Sequence, residues 1–165
     1  MAENDVISAT GTVNAVDHAD VTEMLSFEIS DAIYAIEIKY IKEIIGVDQI
    51  TIVPKIPDYI KGVINLRGKV VPVISVRRRF DMDEIPYDSR TCIIVLEFED
   101  GEQVGIIVDR VQEVVDVKPG DISKTPDSKN INANRYIKSI IHLDNDIRLL
   151  IDCNKLINDD RGMII

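Results

Sequence analysis

The charged side chain most pointedly placed in this 165-residue sequence is Arg67, beside Gly68 at the tip of Y-I-K-G-V-I-N-L-R-G-K-V-V-P-V-I-S. The run is otherwise largely apolar. A planar guanidinium with five donors, carried on a hairpin tip, suits the gripping of a partner's carboxylate or carbonyl oxygens. An ordinary solvated turn residue fits the same composition. Glu43, in I-K-E-I-I, carries two readings as well, because an internal repeat puts Glu113 in its place and a structural role common to both copies competes with binding. Arg77-Arg78-Arg79 is the one basic cluster. Its plain reading is a solvated segment whose arginines answer Asp81, Asp83 and Glu84; the alternative is a site for phosphate or a partner.

Catalysis needs convergent titratable groups, and few are on offer. His18 lies near the N-terminal end, and His142 sits on a predicted strand where the other repeat has Asn65, so a structural or surface histidine is the better reading than a general base. No glycine-rich phosphate loop, H-E-x-x-H or paired C-x-x-C is present. Asp144-Asn145-Asp146 resembles the start of a calcium loop, but Ile147 and Arg148 stand where ligands and a glycine belong, so it reads as a polar hairpin tip. Cys92 and Cys153 read as small core residues of a reduced chain. The sequence therefore points to no enzyme, no cofactor and no metal.

The elements that must position Glu43 and Arg67 are strands. Ile numbers 29 and Val 18, against 7 Leu and 7 Ala. Such β-branched residues are stiff at χ1 and fit a pleated surface better than a helix interior. Net charge is −10 and aromatics are few, which disfavours a phosphate-backbone binder. No apolar run approaches the ~20 residues of a membrane span, and no signal-peptide pattern opens the chain, so no direct membrane insertion is expected.

Residues 1–23 hold Glu3, Asp5, Asp17, Asp20 and Glu23 without a Lys or Arg, and read as a flexible acidic tail. Ten strand-like runs follow, at 24–29, 33–38, 42–47, 60–66, 69–75, 91–98, 103–108, 112–117, 137–143 and 147–152. Pro72 cannot donate to a ladder, so its strand should be an edge or bulged. The informative feature is repetition. Y-I-K-G-V-I-N-L from Tyr59 returns as Y-I-K-S-I-I-H-L from Tyr136, 77 positions on, and I-K-E-I-I-G-V from Ile41 returns as V-Q-E-V-V-D-V from Val111, 70 positions on. The expected fold is mainly β: two similar small five-stranded antiparallel barrels on a shared hydrophobic core, with short helical segments. One covers about 24–90, with 153–157 packing back on it, and the other about 91–152. Residues 158–165 form a short tail. Neither half buries enough surface to stand well alone.

With these residues on the page, a resemblance emerges. The run from Tyr59 to Arg77, the opening M-L-S-F-E-I, Y-A-I-E-I-K-Y-I-K-E-I-I and V-G-I-I-V-D-R-V-Q-E-V resemble, in that order, the CheW family over about residues 24–157. The resemblance implies two SH3-like barrels and a non-catalytic adaptor in bacterial chemotaxis. Such an adaptor is cytoplasmic and is recruited to membrane-associated receptor arrays. It implies two partners: the regulatory domain of a CheA-type histidine kinase, and the helical hairpin tip of a chemoreceptor. Leu25, Ile38, Ile41 and Ile44 match the family's kinase-contact positions; Glu43 and Arg67 match receptor-contact positions. An adaptor of a different kinase array is the nearest alternative. A nucleic-acid-binding small barrel or a small-molecule-binding β protein are rivals from other classes.

Overall fold

The computed structural model describes residues 20–124 and 135–158. In the first half of the chain stand β1 (Thr22–Ile29), β2 (Ala32–Glu37), β3 (Ile41–Gly46), β4 (Ile60–Leu66) and β5 (Lys69–Ser75). A single-turn helix α1 (Val76–Arg79) closes that half. The second half supplies β6 (Cys92–Glu97), β7 (Gln103–Val108), β8 (Arg110–Val117), β9 (Ile122–Lys124), β10 (Ile137–Leu143), β11 (Asp146–Ile151) and α2 (Cys153–Asn158). Short 3-10 turns at Ile38–Tyr40 and Pro119–Asp121 precede β3 and β9. The protein is mainly β, as its composition requires. The first strand begins at Thr22, two residues before the expected start. The expected acidic tail, apart from residues 20–23, and the C-terminal tail beyond Asn158 lie outside the described residues, as does His18.

The strands form two sheets, ordered β8-β1-β2-β11-β10-β9 and β3-β6-β7-β5-β4. The expected division at residue 90 does not follow these sheets. The first hairpin, β1–β2, pairs with β8 and β11 of the second half, while β6–β7 pairs with β3 and β5 of the first. Each barrel therefore takes its central hairpin from the other half of the chain. Two of the pairings, β2 with β11 and β5 with β7, are parallel, so the barrels are not wholly antiparallel. The sequence repeat survives the exchange. Ser75 donates its backbone N–H to Tyr59 at 2.7 Å, and Asp152, 77 positions on, donates to Tyr136 at 2.8 Å.

Burial explains why the hairpins cross. In β6 the side chains alternate between two cores: Ile93 and Val95 join Ile64, Val71, Val73 and Ile107 inside one barrel. Ile94 and Leu96 face the other way, onto Leu25, Phe27, Ile29, Tyr34 and Ile36 of the opposite hairpin. Every residue of β7 is buried. Strands covered on both faces read as continuous apolar runs, and these are the C-I-I-V-L and V-G-I-I-V of the sequence. The shared core is thus the contact of two exchanged hairpins, and neither barrel is complete without both halves.

Both barrels close at the seam between first and last strands. β9, an eleventh strand inside what reads as loop, pairs with β10 over three residues, too few to show a period. Its counterpart in the other barrel is a single bridge, Thr51 to Val63, with hydrogen bonds of 2.8 and 2.9 Å. Val63 turns both its backbone groups to Thr51, so Pro72, paired with it across β4–β5, need not donate there. Of the two expected alternatives, an edge or a bulge, the edge is not met, since the strand is interior, while a bulge falls in the same pairing between Ile60 and Gly62, one position from Val63. Gly62 sits at a bulge with φ +143°, and a Cβ there would lie 2.1 Å from the carbonyl oxygen of Thr51. Gly62→Ala should therefore open this seam and cost ~2 kcal/mol or more, combining backbone strain with a lost bridge. Thermal unfolding followed by circular dichroism measures it, and an unchanged midpoint would show that Thr51 does not close the barrel.

Candidate functional site

Glu43 is placed by an irregularity in β3. The register with β6 shifts between Ile41 and Glu43, so Ile41 opposes Leu96 on the shared-core side while Glu43 opposes Val95, which points into the barrel. The carboxylate consequently stands at the barrel rim. Arg67 reaches it from the β4–β5 tip, where Arg67 at φ 53° and Gly68 at φ 86° make the primed turn that a two-residue hairpin favours. Asn65 Oδ1 accepts the Gly68 N–H at 2.9 Å and fixes the tip. From there the guanidinium donates two parallel hydrogen bonds, Nη1 to Glu43 Oε2 at 2.5 Å and Nη2 to Oε1 at 2.7 Å. The fork keeps the Glu43 carboxyl below its usual range and raises Arg67, each chiefly through these hydrogen bonds. The Arg67 side chain is nevertheless 70% exposed.

The twin barrel makes the same pairing differently. Glu113, the repeat of Glu43, accepts from Arg148 Nη2 at 3.1 Å, and Arg148 is 5% exposed. There the arginine rises from the strand and fills the barrel; in the first barrel it is delivered from outside, by the tip. The twin tip holds Asp144 at φ 52°, a residue type for which this conformation is cheap. Arg67 adopts it without that advantage. The glutamate accepts from an arginine in both barrels, and what distinguishes the first is an exposed guanidinium held in a fixed direction.

The apolar positions divide. Leu25 is 4% exposed and belongs to the shared core, so it is not a surface contact; in β1 it opposes Ile36, itself buried. Ile38 and Ile41 are half-buried against that core. Ile44 is exposed, at 42%. Two aliphatic side chains that alternation hid in the sequence are more exposed still: Val70, paired with Asn65 beside the Arg67 tip, at 70%, and Ile52, next to the closing bridge, at 80%.

The basic cluster turns inward instead of being solvated. Arg77 donates from Nε and Nη2 to the Asp109 carboxylate at 2.9 and 2.6 Å, Arg78 donates to Asp58, and Arg79 is 1% exposed. The carboxylates that Arg77 and Arg78 bond directly are Asp109 and Asp58, while of the acids expected to answer them Glu84 acts on both and Asp83 on Arg78 at longer range. Of the arginines that suggested nucleic acid, Arg79 is buried and Arg77 and Arg78 are bonded to carboxylates, Arg78 at the surface. His142 lies on the surface with Nε2 2.9 Å from Ser123 Oγ. Burial pushes the Cys153 thiol up to about 12, which leaves it protonated. Among the described residues no three His, Cys, Asp or Glu side chains group to hold a metal ion, and no helix is long and apolar enough to cross a membrane.

Two small barrels locked through one core, presenting a fixed ion pair beside exposed aliphatic side chains, define a binding scaffold. The model of the CheW-like domain matches residues 23–161. Chemotaxis protein CheW of Klebsiella aerogenes is 35% identical over 144 residues, covering 87% of this chain and 86% of that protein. Chemotaxis protein CheW of Bacillus subtilis is 33% identical over 138 residues, 84% of this chain and 88% of that one. The crystal structure of scaffolding protein TtCheW from Thermoanaerobacter tengcongensis superposes with a TM-score of 0.74 at 29% identity, covering 82% of this chain and 86% of that chain. The chain belongs to the CheW family of non-catalytic chemotaxis scaffolds.

Proposed function

We propose that this protein couples chemoreceptors to a CheA-type histidine kinase in the cytoplasm, at membrane-associated receptor arrays, with both contacts centred on the barrel that carries Arg67. The observation that supports the receptor contact is the exposed, doubly bonded Arg67–Glu43 fork at the barrel rim. Glu43 occupies one side of the guanidinium and aims it; the remaining donor faces are free for carbonyl or carboxylate groups of a helical hairpin tip. Val70 beside it supplies apolar area. The kinase contact is carried by Ile44, with Ile41 and Ile38 at its buried margin and Leu25 supporting the patch from the core.

The test separates aiming from folding. Arg67→Ala and Glu43→Gln should each keep the fold and kinase binding and lose receptor-fragment affinity about tenfold or more, the scale of a charged interface group. The exchanged pair, Glu43→Arg with Arg67→Glu, should restore the ion pair and leave receptor binding lost. Recovery of receptor binding in the exchanged pair would show that the fork serves the barrel alone.

A further inference from the structure

The hairpin β1–β2 makes strand pairings with β8 and β11 and with no strand of its own half. Its pairing with β8 runs from Thr22–Val117 to Glu28–Arg110, and Leu25, Phe27, Ile29, Tyr34 and Ile36 all insert into the shared core. Everything that follows the hairpin in the chain is reached through one three-residue turn, Ile38–Tyr40. That turn is tied by side-chain packing and by no cap. Its flanking residues, Glu37 at φ −70°, ψ 137° and Ile41 at φ −89°, ψ 121°, are already extended, and no side chain caps it. Its ties are the half-buried contacts of Ile38 and Tyr40, the Tyr40–Phe98 ring pair at 5.6 Å, and exposed ion pairs of Glu37 with Lys39 and Lys138, each at 3.7 Å. The equivalent hairpin β6–β7 is held differently. Arg77 grips Asp109 at its exit; the Ser30 N–H that Asp109 Oδ2 accepts at 2.8 Å belongs to the tip of β1–β2, a tie that the exchange remakes between copies.

We propose that the β1–β2 hairpin is an exchangeable element, and that two copies of this chain form a reciprocal dimer in which each hairpin completes the other copy's second barrel. The occupant of that slot is fixed by register and core shape: it must pair antiparallel with β8, parallel with β11, and insert the same five apolar side chains. Only a second copy supplies that. The exchange preserves every strand pairing and alters only the turn, which when extended spans about 10 Å. Swapping through a single short connection is a low-cost route to dimers. Because the hairpin must first leave its own barrel, the dimer should form slowly and then persist. Glu43, Arg67 and Ile44 lie on the other barrel, so, on the proposed function, the receptor contact and the Ile44 face of the kinase contact survive the exchange, whereas Ile38 lies in the turn that opens and Leu25 in the hairpin that moves.

The test is a cross-link across the exchanged seam. In Glu28→Cys with Arg110→Cys, the new cysteines occupy paired positions of β1 and β8. The full-length variant is concentrated, warmed to just below its unfolding midpoint, cooled, oxidised, and sized by light scattering and by non-reducing electrophoresis with peptide mapping. A covalent species of twice the 18.6 kDa chain mass, joined through positions 28 and 110 of different chains, is the expected result. Deleting Lys39 shortens the turn and should raise the dimer fraction severalfold, whereas three glycines inserted after Lys39 should lower it. Two outcomes overturn the proposal. One is a chain that stays monomeric in all three forms; the other is a dimer whose 28–110 disulfide is always within one chain.

Discussion

Arg79→Ala should lower stability more than any other single substitution in the described arginines, by about 3 kcal/mol or more, the scale of deleting a large buried side chain together with its hydrogen bonds. Arg79 sits where the two halves meet. Its guanidinium carbon lies 3.8 Å from the Tyr59 ring centroid and 5.5 Å from that of Tyr136, two tyrosines related by the repeat. Its Nε donates to the Leu156 carbonyl at 2.8 Å, so it also closes the end of α2. Alanine removes the cation–π contacts, unties helical carbonyls that have no water to turn to, and leaves a large cavity. Arg79→Met keeps much of the volume and should recover part of the loss. Arg79→Lys keeps the charge without the planar stack and should recover less than a conservative change normally would. Because the halves are interlocked, loss should appear as one cooperative transition shifted to lower temperature, by far- and near-ultraviolet circular dichroism together. An Arg79→Ala midpoint within a degree or two of wild type would show that the two halves hold together without this guanidinium.

That residue also marks the limit of what the linear pattern discloses. Nearly every strand was legible, because alternation is a local signal and the repeat at 77 positions shows it twice. The exchange of hairpins was not. A repeat shows that two segments are alike, and it cannot say whether each pairs with its own half or with its copy's, since the edges offered are the same in both. Arg77-Arg78-Arg79 misread for a related reason. Three consecutive arginines look like one surface feature, yet a helical turn sends them in three directions, toward Asp109, Asp58 and the carbonyl of Leu156, partners 32, 20 and 77 residues away. Glu43 and Arg67 were each found, and their bond was not, because 24 residues of chain separate them. Leu25 shows the reverse error. A family-matched position carried an expected role in contact, while the fold spends the side chain on the core.

The largest expected effect on binding is at Ile44. Of the four apolar positions matched to kinase contact it is the exposed one, on β3 at the end of its sheet's strand order. A carboxylate placed in a desolvated aliphatic contact must lose its water without gaining a partner. Ile44→Glu should therefore weaken binding to the kinase regulatory domain at least tenfold, ~1.4 kcal/mol, while the melting midpoint stays near wild type. Ile41→Glu is the poorer probe, since Ile41 packs in part against the shared core and the charge should cost stability as well. Leu25→Ala supplies the contrast. It should lose ~2–5 kcal/mol of stability as a core truncation, and bind the kinase normally under conditions where it remains folded. Titrations of the three variants against kinase domain and receptor fragment separately, each paired with a melting curve, distinguish surface from core. If Leu25→Ala, still folded, loses kinase affinity as steeply as Ile44→Glu does, the kinase reads the shape of the core and not the exposed face of β3. If Ile44→Glu binds normally, the contact lies elsewhere on the scaffold.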